Sequence, residues 1–217
     1  MSLVVAGIAL FTAFWVVVSR AREAAVRMEA TGKLKQVGLA IIHYEMREGR
    51  LPWENYDPQG RQLLSWRVHI LKDMELSELY DQFNLDESWD SPHNRKLLTQ
   101  MPDVYKCPSM SDHPDDKTVY VVPLGQGTVF GAGIGVRLSD FAQTNASKIM
   151  LLEVDPAHAV DWTRPEDYTI DFNNPSQGLG AHEAEKFLAV FVDGSANRIS
   201  TAKSPHELEP YFKATSP

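Results

Sequence analysis

Cysteine is almost absent from this 217-residue sequence, which contains Cys107 and no Cys-x-x-Cys pair. One cysteine excludes an internal disulfide, and the missing pair excludes the usual thiolate zinc and redox motifs. The sequence also lacks a GxSxG elbow, an HExxH helix motif and a GxGxxG in a strand-to-helix setting. We therefore predict a protein without enzymatic activity.

Basic residues do not outnumber acidic residues in this sequence. The sequence has 21 Lys and Arg against 29 Asp and Glu, for a formal net charge of -8. Proteins that neutralise nucleic-acid phosphates need a concentrated basic surface, so nucleic acid is not an expected partner. The hydrophobic content of 43% and the charged content of 23% are typical of one globular domain.

Residues 2–19 carry no charge, and Ser and Thr are their only polar residues. As a helix these 18 positions span roughly 27 Å, the thickness of a thin bilayer core. The segment is therefore interpreted as a transmembrane anchor over residues 1–19. A cleaved signal peptide is the alternative, but no basic region precedes the stretch and no small-x-small cleavage site follows it.

Residues 20–50 continue the helical pattern, since apolar residues recur at intervals of three and four, at Val26, Ala30, Leu34, Val37, Ile41 and Tyr44. This spacing predicts an amphipathic stalk that packs on a head and ends at Pro52. Seven Lys and Arg and four Asp and Glu lie in the stalk. The head, residues 51–217, keeps 14 bases and 25 acids and is strongly acidic.

The head has the pattern of an α+β domain. An amphipathic helix is predicted within SWRVHILKDMELSELYDQFN, and a shorter one from SPHNRKLLTQM with Ser91 as its N-cap and Pro92 at its first position. The Gly-rich TVYVVPLGQGTVFGAGIGV predicts strand, loop and strand, KIMLLEV predicts a strand, and FLAVFVDGSANRIS predicts two strands around an Asp-Gly turn. We expect an antiparallel sheet with additional short helices.

A long amphipathic N-terminal helix that starts in the membrane, followed by an antiparallel sheet, resembles type IV pilins and secretion pseudopilins. Specific strings over residues 30–200 resemble, in order, a bacterial family called domain of unknown function 1559. They are KLKQVGLAIIHYEMREGRLP, SWRVHILKDMELSELYDQFNLDESWDSPHNRKLLTQMPDVYKCPS, LSDFAQTNASKIMLLEV, VDWTRPEDY and GLGAHEAEKFLAVFVDGSANRIS. The resemblance implies a prepilin-type, processing-associated protein with a pilin-like fold and no assigned enzymatic chemistry.

The sequence departs from the family pattern at three points. The family's Gly-Phe-Thr-Leu-Ile-Glu type leader is absent, so processing by a prepilin peptidase is not expected. Ala30 stands where many members have a cysteine, which leaves Cys107 unpaired. Ten residues rather than nine separate His182 from the Asp193-Gly194 pair.

The location of the head is open to two readings. Arg20, Arg22 and Arg27 follow the apolar stretch, and the positive-inside tendency alone would keep the head cytoplasmic. The resemblance to pilins implies the opposite side. We expect a single-pass protein of the bacterial cytoplasmic membrane with an external, periplasmic head.

A calcium site is one candidate for chemistry in the head. Glu153, Asp155, His182 and Asp193 are its candidate ligands, because carboxylates near the ends of strands suit hard cations and some pseudopilins hold calcium in a C-terminal loop. Simpler roles are available for the same residues. Asp193-Gly194 is the favoured pair of a type I′ hairpin turn, and Glu153 could pair with Arg164 or Lys186.

Two further groups of residues have both a functional and a structural interpretation. The aromatic residues Trp66, Trp89, Trp162, Tyr80 and Tyr105 could stack on a sugar, with Trp162 the most exposed candidate, but packing is the simpler interpretation. Cys107 and His113 could form a nucleophile and base, although nothing in the sequence orients the imidazole.

The function predicted from the sequence is a non-enzymatic, membrane-anchored, pilin- or pseudopilin-like envelope protein. It would act through self-association or contacts with secretion-system proteins, either as a filament subunit or as an isolated anchored factor. The alternative is an envelope module that binds calcium or polysaccharide through the loops of its head.

Overall fold

The computed structural model describes residues 2–52, 57–110, 115–131, 137–142, 148–180 and 185–213. Helix α1 (Ser2–Glu48) contains 47 residues and is about 70 Å long at 1.5 Å per residue. It ends where Gly49 adopts a φ of 70°, a left-handed conformation that glycine tolerates without strain. The long N-terminal helix predicted from the sequence is confirmed.

The two halves of α1 have different surroundings. Every residue from Phe14 to Glu23 is exposed. Farther along, the buried apolar residues are Ala30, Leu34, Val37, Ala40, Ile41 and Tyr44. Their spacing of three and four places them on one face, which packs on the head as the sequence pattern predicts.

The main sheet is antiparallel and has the strand order β2-β4-β7-β8. The strands of the described residues are β1 (Lys117–Thr118), β2 (Tyr120–Val121), β3 (Pro123–Leu124), β4 (Ile149–Glu153), β5 (Val160–Asp161), β6 (Tyr168–Thr169), β7 (Lys186–Phe191) and β8 (Ala196–Ser200). Strand β1 pairs with β5 in antiparallel fashion and β3 pairs with β6 in parallel. The α+β class is therefore confirmed.

Helix α1 crosses the sheet at Gly38. A Cβ atom at this position would lie 2.6 Å from Cγ1 of Val190 on β7, closer than two carbon atoms can approach. The backbone of α1 therefore rests directly on the sheet, and glycine is the residue that allows it.

The turn between β7 and β8 is at Asp193-Gly194, but it is not type I′. Gly194 has a φ of 78° while Asp193 is not in the positive-φ region, and a type I′ turn requires positive φ at both positions. Gly194 donates to the carbonyl of Phe191, and Phe191 donates to the carbonyl of Ser195, which closes a three-residue loop. Asp193 Oδ1 accepts hydrogen bonds from the backbone N–H and the hydroxyl of Ser195, and these bonds stabilise the three-residue loop.

The helix predicted over residues 65–84 is broken into short pieces. Helix α2 (Trp66–His69), a 3-10 segment (Leu71–Met74) and α3 (Ser77–Tyr80) replace it. Glu75 adopts a φ of 63°, which ends the 3-10 segment and redirects the chain. The prediction of one continuous helix was wrong because no glycine or proline marks this break.

The remaining helices are short. The segment predicted to follow Ser91 is a 3-10 helix (Asn94–Gln100), and Ser91 Oγ accepts a bond from the backbone of Asn94. Two further 3-10 helices (Asp103–Tyr105 and Pro156–His158), helix α4 (Leu138–Ala142) and helix α5 (Pro205–Phe212) are the other helices of the described residues. The second strand predicted in the Gly-rich stretch falls largely on residues 132–136, which lie outside the described residues.

Candidate functional site

A buried ion pair joins Arg67 of α2 to Asp167, the residue before β6. Arg67 Nη2 lies 2.7 Å from Asp167 Oδ1, and both side chains are fully buried. Arg67 Nη1 also donates to Ser65 Oγ at 2.8 Å, and Trp66 Nε1 donates to Asp167 Oδ2 at 3.0 Å. Buried charges are tolerated when hydrogen bonds surround them in this way.

The same pair closes the outer edge of the main sheet. Arg67 Nε and Nη2 donate to the carbonyl of Tyr120 at 3.1 and 2.9 Å, while Asp167 Oδ1 accepts from the backbone N–H of Val122 at 2.8 Å. These are the backbone groups that a further strand would otherwise satisfy. Burial raises the pKa of Asp167 to about 6 against the opposing effect of Arg67, so the carboxylate is ionised at neutral pH.

Asn94 organises the loop that precedes its 3-10 helix. Its amide nitrogen donates to the carbonyls of Asn84, Glu87 and Ser88 at 2.9 to 3.1 Å, and its Oδ1 accepts from the backbone of Asn84 at 3.0 Å. The side chain is fully buried. The Trp-Asp-Ser-Pro-His-Asn string thus encodes a loop that is closed by the buried hydrogen bonds of Asn94.

Two of the candidate calcium ligands lie at opposite ends of one strand pair. Glu153 ends β4, whereas Asp193 lies two residues beyond Phe191, which pairs with Ile149 at the start of β4. Four residues of strand separate the two ends, a distance of roughly 13 Å. The register therefore does not bring Glu153 and Asp193 to one metal ion.

The other two candidate ligands have different fates. Asp155 caps the short 3-10 helix Pro156–His158, and its Oδ1 lies 2.6 Å from His158 Nδ1. His182 lies outside the described residues. Among the residues that the structure describes, no three His, Cys, Asp or Glu side chains are grouped as a metal site would require.

Glu153 instead lies beside the single cysteine. The Cys107 thiol donates to Glu153 Oε1 at 3.3 Å and lies 2.9 Å from Ser109 Oγ. Burial, and next the Glu153 carboxylate, raise the pKa of Cys107 to about 12. A neutral, buried thiol is a poor nucleophile, and its proposed base His113 lies outside the described residues.

The aromatic residues serve packing. Trp66 and Tyr105 are buried, and Tyr105 stacks on Trp162 with ring centroids 5.9 Å apart. Trp162 is also fully buried, and its Nε1 donates to the carbonyl of Leu98 at 2.9 Å. The prediction that Trp162 is the most exposed aromatic was wrong, because its ring fills the core beneath the 3-10 helix. Trp89 is half-buried beneath Arg164, and Tyr80 beneath Lys72.

The first half of α1 presents an apolar surface. Phe11, Phe14, Trp15 and Val17 expose 57 to 65% of their area, and Val16 and Val18 are also exposed. Phe14 to Val18 are five consecutive residues, and at 100° per residue they cover the whole circumference of the helix. The helix is therefore apolar and exposed on all sides at these positions. Counting only the described side chains, no helix has an apolar run long enough to span a bilayer.

A groove of about 610 Å³ lies where α1 leaves the head, and we call it the basic groove. Its charged lining consists of Arg22, Glu23, Arg27, Glu153, Lys186 and Arg198, and its apolar lining includes Val26, Phe187 and Leu188. Arg198 donates to Thr31 Oγ1 at 2.8 Å and to the carbonyl of Arg27 at 3.0 Å, which fastens β8 to α1. Four cationic side chains against two carboxylates give the groove a net positive charge.

Comparison with protein families identifies the family of the chain. The family model described as "Protein of unknown function (DUF1559)" matches residues 19–204. The chain belongs to the DUF1559 family. No curated protein and no solved structure matches the chain.

The match to DUF1559 covers the parts of the chain that hold the head together. It includes the Arg67–Asp167 pair, the Asn94 loop and the sheet, and it begins at Ser19, at the end of the apolar stretch. The DUF1559 strings singled out in the sequence, Ser-Trp-Arg and Trp-Asp-Ser-Pro-His-Asn, are thus accounted for by buried hydrogen bonds. They are structural signatures of this chain's fold.

Sequence reasoning missed the partner of Arg67 and the basic groove. An arginine inside the apolar string SWRVHIL signals a buried charge that needs a carboxylate, but nothing local identifies Asp167, 100 residues away. The groove was missed for a similar reason, since its bases come from α1, β7 and β8, which are distant in the sequence.

Proposed function

We propose that this DUF1559 protein is a non-enzymatic, pilin- or pseudopilin-like envelope protein, anchored in a membrane by the first part of α1. The head would lie on the external side of the cytoplasmic membrane and act through contacts with other proteins, including copies of itself. The observation that carries the proposal is the contrast within α1 between an apolar, exposed first half and a second half buried in the head.

The apolar surface supports an anchor because nothing in the described head covers it. A helix that is apolar on all sides is stable in contact with lipid or with other apolar helices, and costly to leave in water. The uncharged sequence of residues 2–19 has the length that a thin bilayer core requires. The continuity of α1 supports a rigid connection, since the helix runs from this segment into the head without a proline or a break.

The contacts of the head support a scaffold role. The signature residues Arg67, Asp167 and Asn94 are consumed by internal hydrogen bonds, and the Cys107 thiol is buried and neutral. Among the described residues, surface charge and the exposed part of α1 remain available to partners. Both features support the proposal that the protein acts by binding.

The anchor is tested with lysine substitutions in the full chain. Phe11→Lys with Phe14→Lys places two charges inside the apolar segment, each at a cost of roughly 2.5–3.5 kcal/mol near the centre of a bilayer. Met28→Lys with Gln36→Lys is the matched control, because it adds the same charges at exposed positions beyond the segment.

We expect the wild type and the control to sediment with membranes and resist carbonate extraction, while the Phe11/Phe14 variant becomes soluble with an unchanged head. A wild-type protein released by carbonate would refute the anchor. Protease treatment of intact spheroplasts tests the orientation, since an external head is cut and a cytoplasmic one is protected.

A further inference from the structure

The head carries an acidic counterpart to the basic groove. Between Asp73 and Asp90 the sequence has seven acidic residues and no Lys or Arg. We call residues 73–90 the acidic strip. Its exposed carboxylates include Glu75, Glu78 and Asp86, which form no ion pair within the described part of the chain. Leu85 in the same strip exposes 39% of its area.

The two surfaces lie at opposite ends of the contact between α1 and the head. The basic groove surrounds Val26, while the acidic strip meets α1 at Arg47, whose Nη2 lies 2.8 Å from Asp73 Oδ2. The helical rise places these two points roughly 30 Å apart along the axis of α1. A single molecule therefore cannot fill its own groove with its own strip.

We propose that the basic groove of one copy receives the acidic strip of a second copy, so that copies associate head to tail along the direction of α1. This inference rests on the proposed self-association and names the surfaces that perform it. The charges are complementary, and each surface has an accessible apolar residue, the exposed Leu85 on the strip and the partly exposed Val26 in the groove.

The contact has a consequence for the assembly. Because the groove and the strip are different surfaces, the contact is heterologous and leaves one free groove and one free strip after each addition. Such a contact produces open chains rather than closed dimers. Anchors held at one depth in a flat bilayer oppose a stagger of this size, so the contact belongs to the filament-subunit form of the protein, in which copies are displaced along α1. The association is therefore measured on the full chain in mild detergent.

Two charge-reversal variants test the contact. The groove variant carries Arg22→Glu and Lys186→Glu, and the strip variant carries Glu75→Lys, Glu78→Lys and Asp86→Lys. These side chains are exposed and leave the bonds of Arg198 to α1 intact. The control, Arg95→Glu with Lys96→Glu, reverses two exposed charges outside both surfaces.

Sedimentation velocity over a range of protein concentrations gives the outcome. We expect the wild type and the control to form concentration-dependent oligomers. Each variant alone should associate at least roughly tenfold more weakly than the wild type, and an equal mixture of the two variants should recover the association. Recovery in the mixture is diagnostic. The acidic groove of the groove variant then meets the basic strip of the strip variant, and the basic groove of the strip variant meets the acidic strip of the groove variant.

The alternative outcomes separate this inference from the proposed function. Oligomers of either variant as stable as those of the wild type would overturn the head-to-tail contact and leave self-association intact. A wild type that stays monomeric at every concentration would overturn both self-association and this contact, while the carbonate experiment still decides the anchor independently.

Discussion

The two halves of α1 are one continuous helix in two different environments. From Ala30 to Tyr44 the apolar side chains are buried against the head, and Gly38 lets the backbone touch the sheet. From Phe14 to Val18 the side chains are apolar and exposed on every side. The difference shows that helix formation and burial are separate matters: local sequence extends the helix, whereas the surroundings decide which residues are covered.

The difference also has an energetic size. Burying one large apolar side chain is worth about 1.5–3 kcal/mol, so covering the six exposed residues from Phe11 to Val18 would yield on the order of 10 kcal/mol. That is comparable to the total stability of a small domain. The head is stabilised by apolar contacts within the chain, whereas the exposed apolar side chains of the first half of α1 have no such contacts with the described head.

Breaking the buried ion pair should destabilise the head without changing the first half of α1, and it is the largest effect that we expect. Arg67→Met leaves the buried Asp167 carboxylate without its cation and the Tyr120 carbonyl without its donor. We expect a loss of about 3–5 kcal/mol in the free energy of unfolding, measured by urea denaturation.

Arg61→Met is the control for this substitution. Arg61 pairs with Asp57 at 2.8 Å but is 68% exposed, and an exposed pair of this kind contributes about 1 kcal/mol or less. Association with membranes should be the same for both variants. Equal losses of stability for Arg67→Met and Arg61→Met would contradict the view that the Arg67–Asp167 pair supports the sheet edge.

Two glycines on α1 sharpen the comparison between the face toward the head and the face away from it. Gly38→Ala places a methyl group against Val190, a β-branched residue with little freedom to move, and should cost about 1–3 kcal/mol. Gly32→Ala meets no atom within 4 Å and should stabilise the helix by about 0.5–1 kcal/mol. Thermal unfolding of both variants measures the difference, and effects of the same sign would disprove this packing.

Local patterns predicted the regular parts of this fold. The spacing of apolar residues predicted α1, and the apolar run KIMLLEV predicted β4. Both predictions depend only on residues that lie within the element itself. The helix predicted after Ser65 failed because Glu75 adopts a left-handed conformation that its side chain does not favour. At that break Leu76 donates to the carbonyl of Leu71 and Glu75 to the carbonyl of Lys72, which is the hydrogen-bond pattern of a Schellman helix end.

Helix α5 was missed although its sequence carries a signal. Ser204 and Glu207 form a capping box, Pro205 occupies the first helical position, and the buried Leu208 and Phe212 follow. The candidate site was harder to predict, because strand register decides which side chains meet. The register of β4 and β7 separates Glu153 from Asp193, and no spacing along the sequence contains that information.

A pH titration offers the smallest and most local test of the head, at the end of α1 opposite to the anchor. Burial, with the charge of Arg50 second, lowers the pKa of His69 to about 4, below its usual 6.5. The folded protein therefore favours the neutral ring, and protonation favours the unfolded chain. The stability that His69 contributes is complete above pH 6.5 and is lost as the pH falls from 6.5 toward 4.

His69→Gln should remove this part of the acid sensitivity, which we expect to be on the order of 1–2 kcal/mol because the ring is partly exposed. Asp167 acts in the opposite direction, since its raised pKa adds stability as the pH falls through about 6. The two effects oppose each other in the wild type, so the measurement is the difference between the two proteins in urea unfolding at pH 7 and at pH 4.5. Free energies that fall in parallel would mean that water reaches His69 as freely in the folded head as in the unfolded chain.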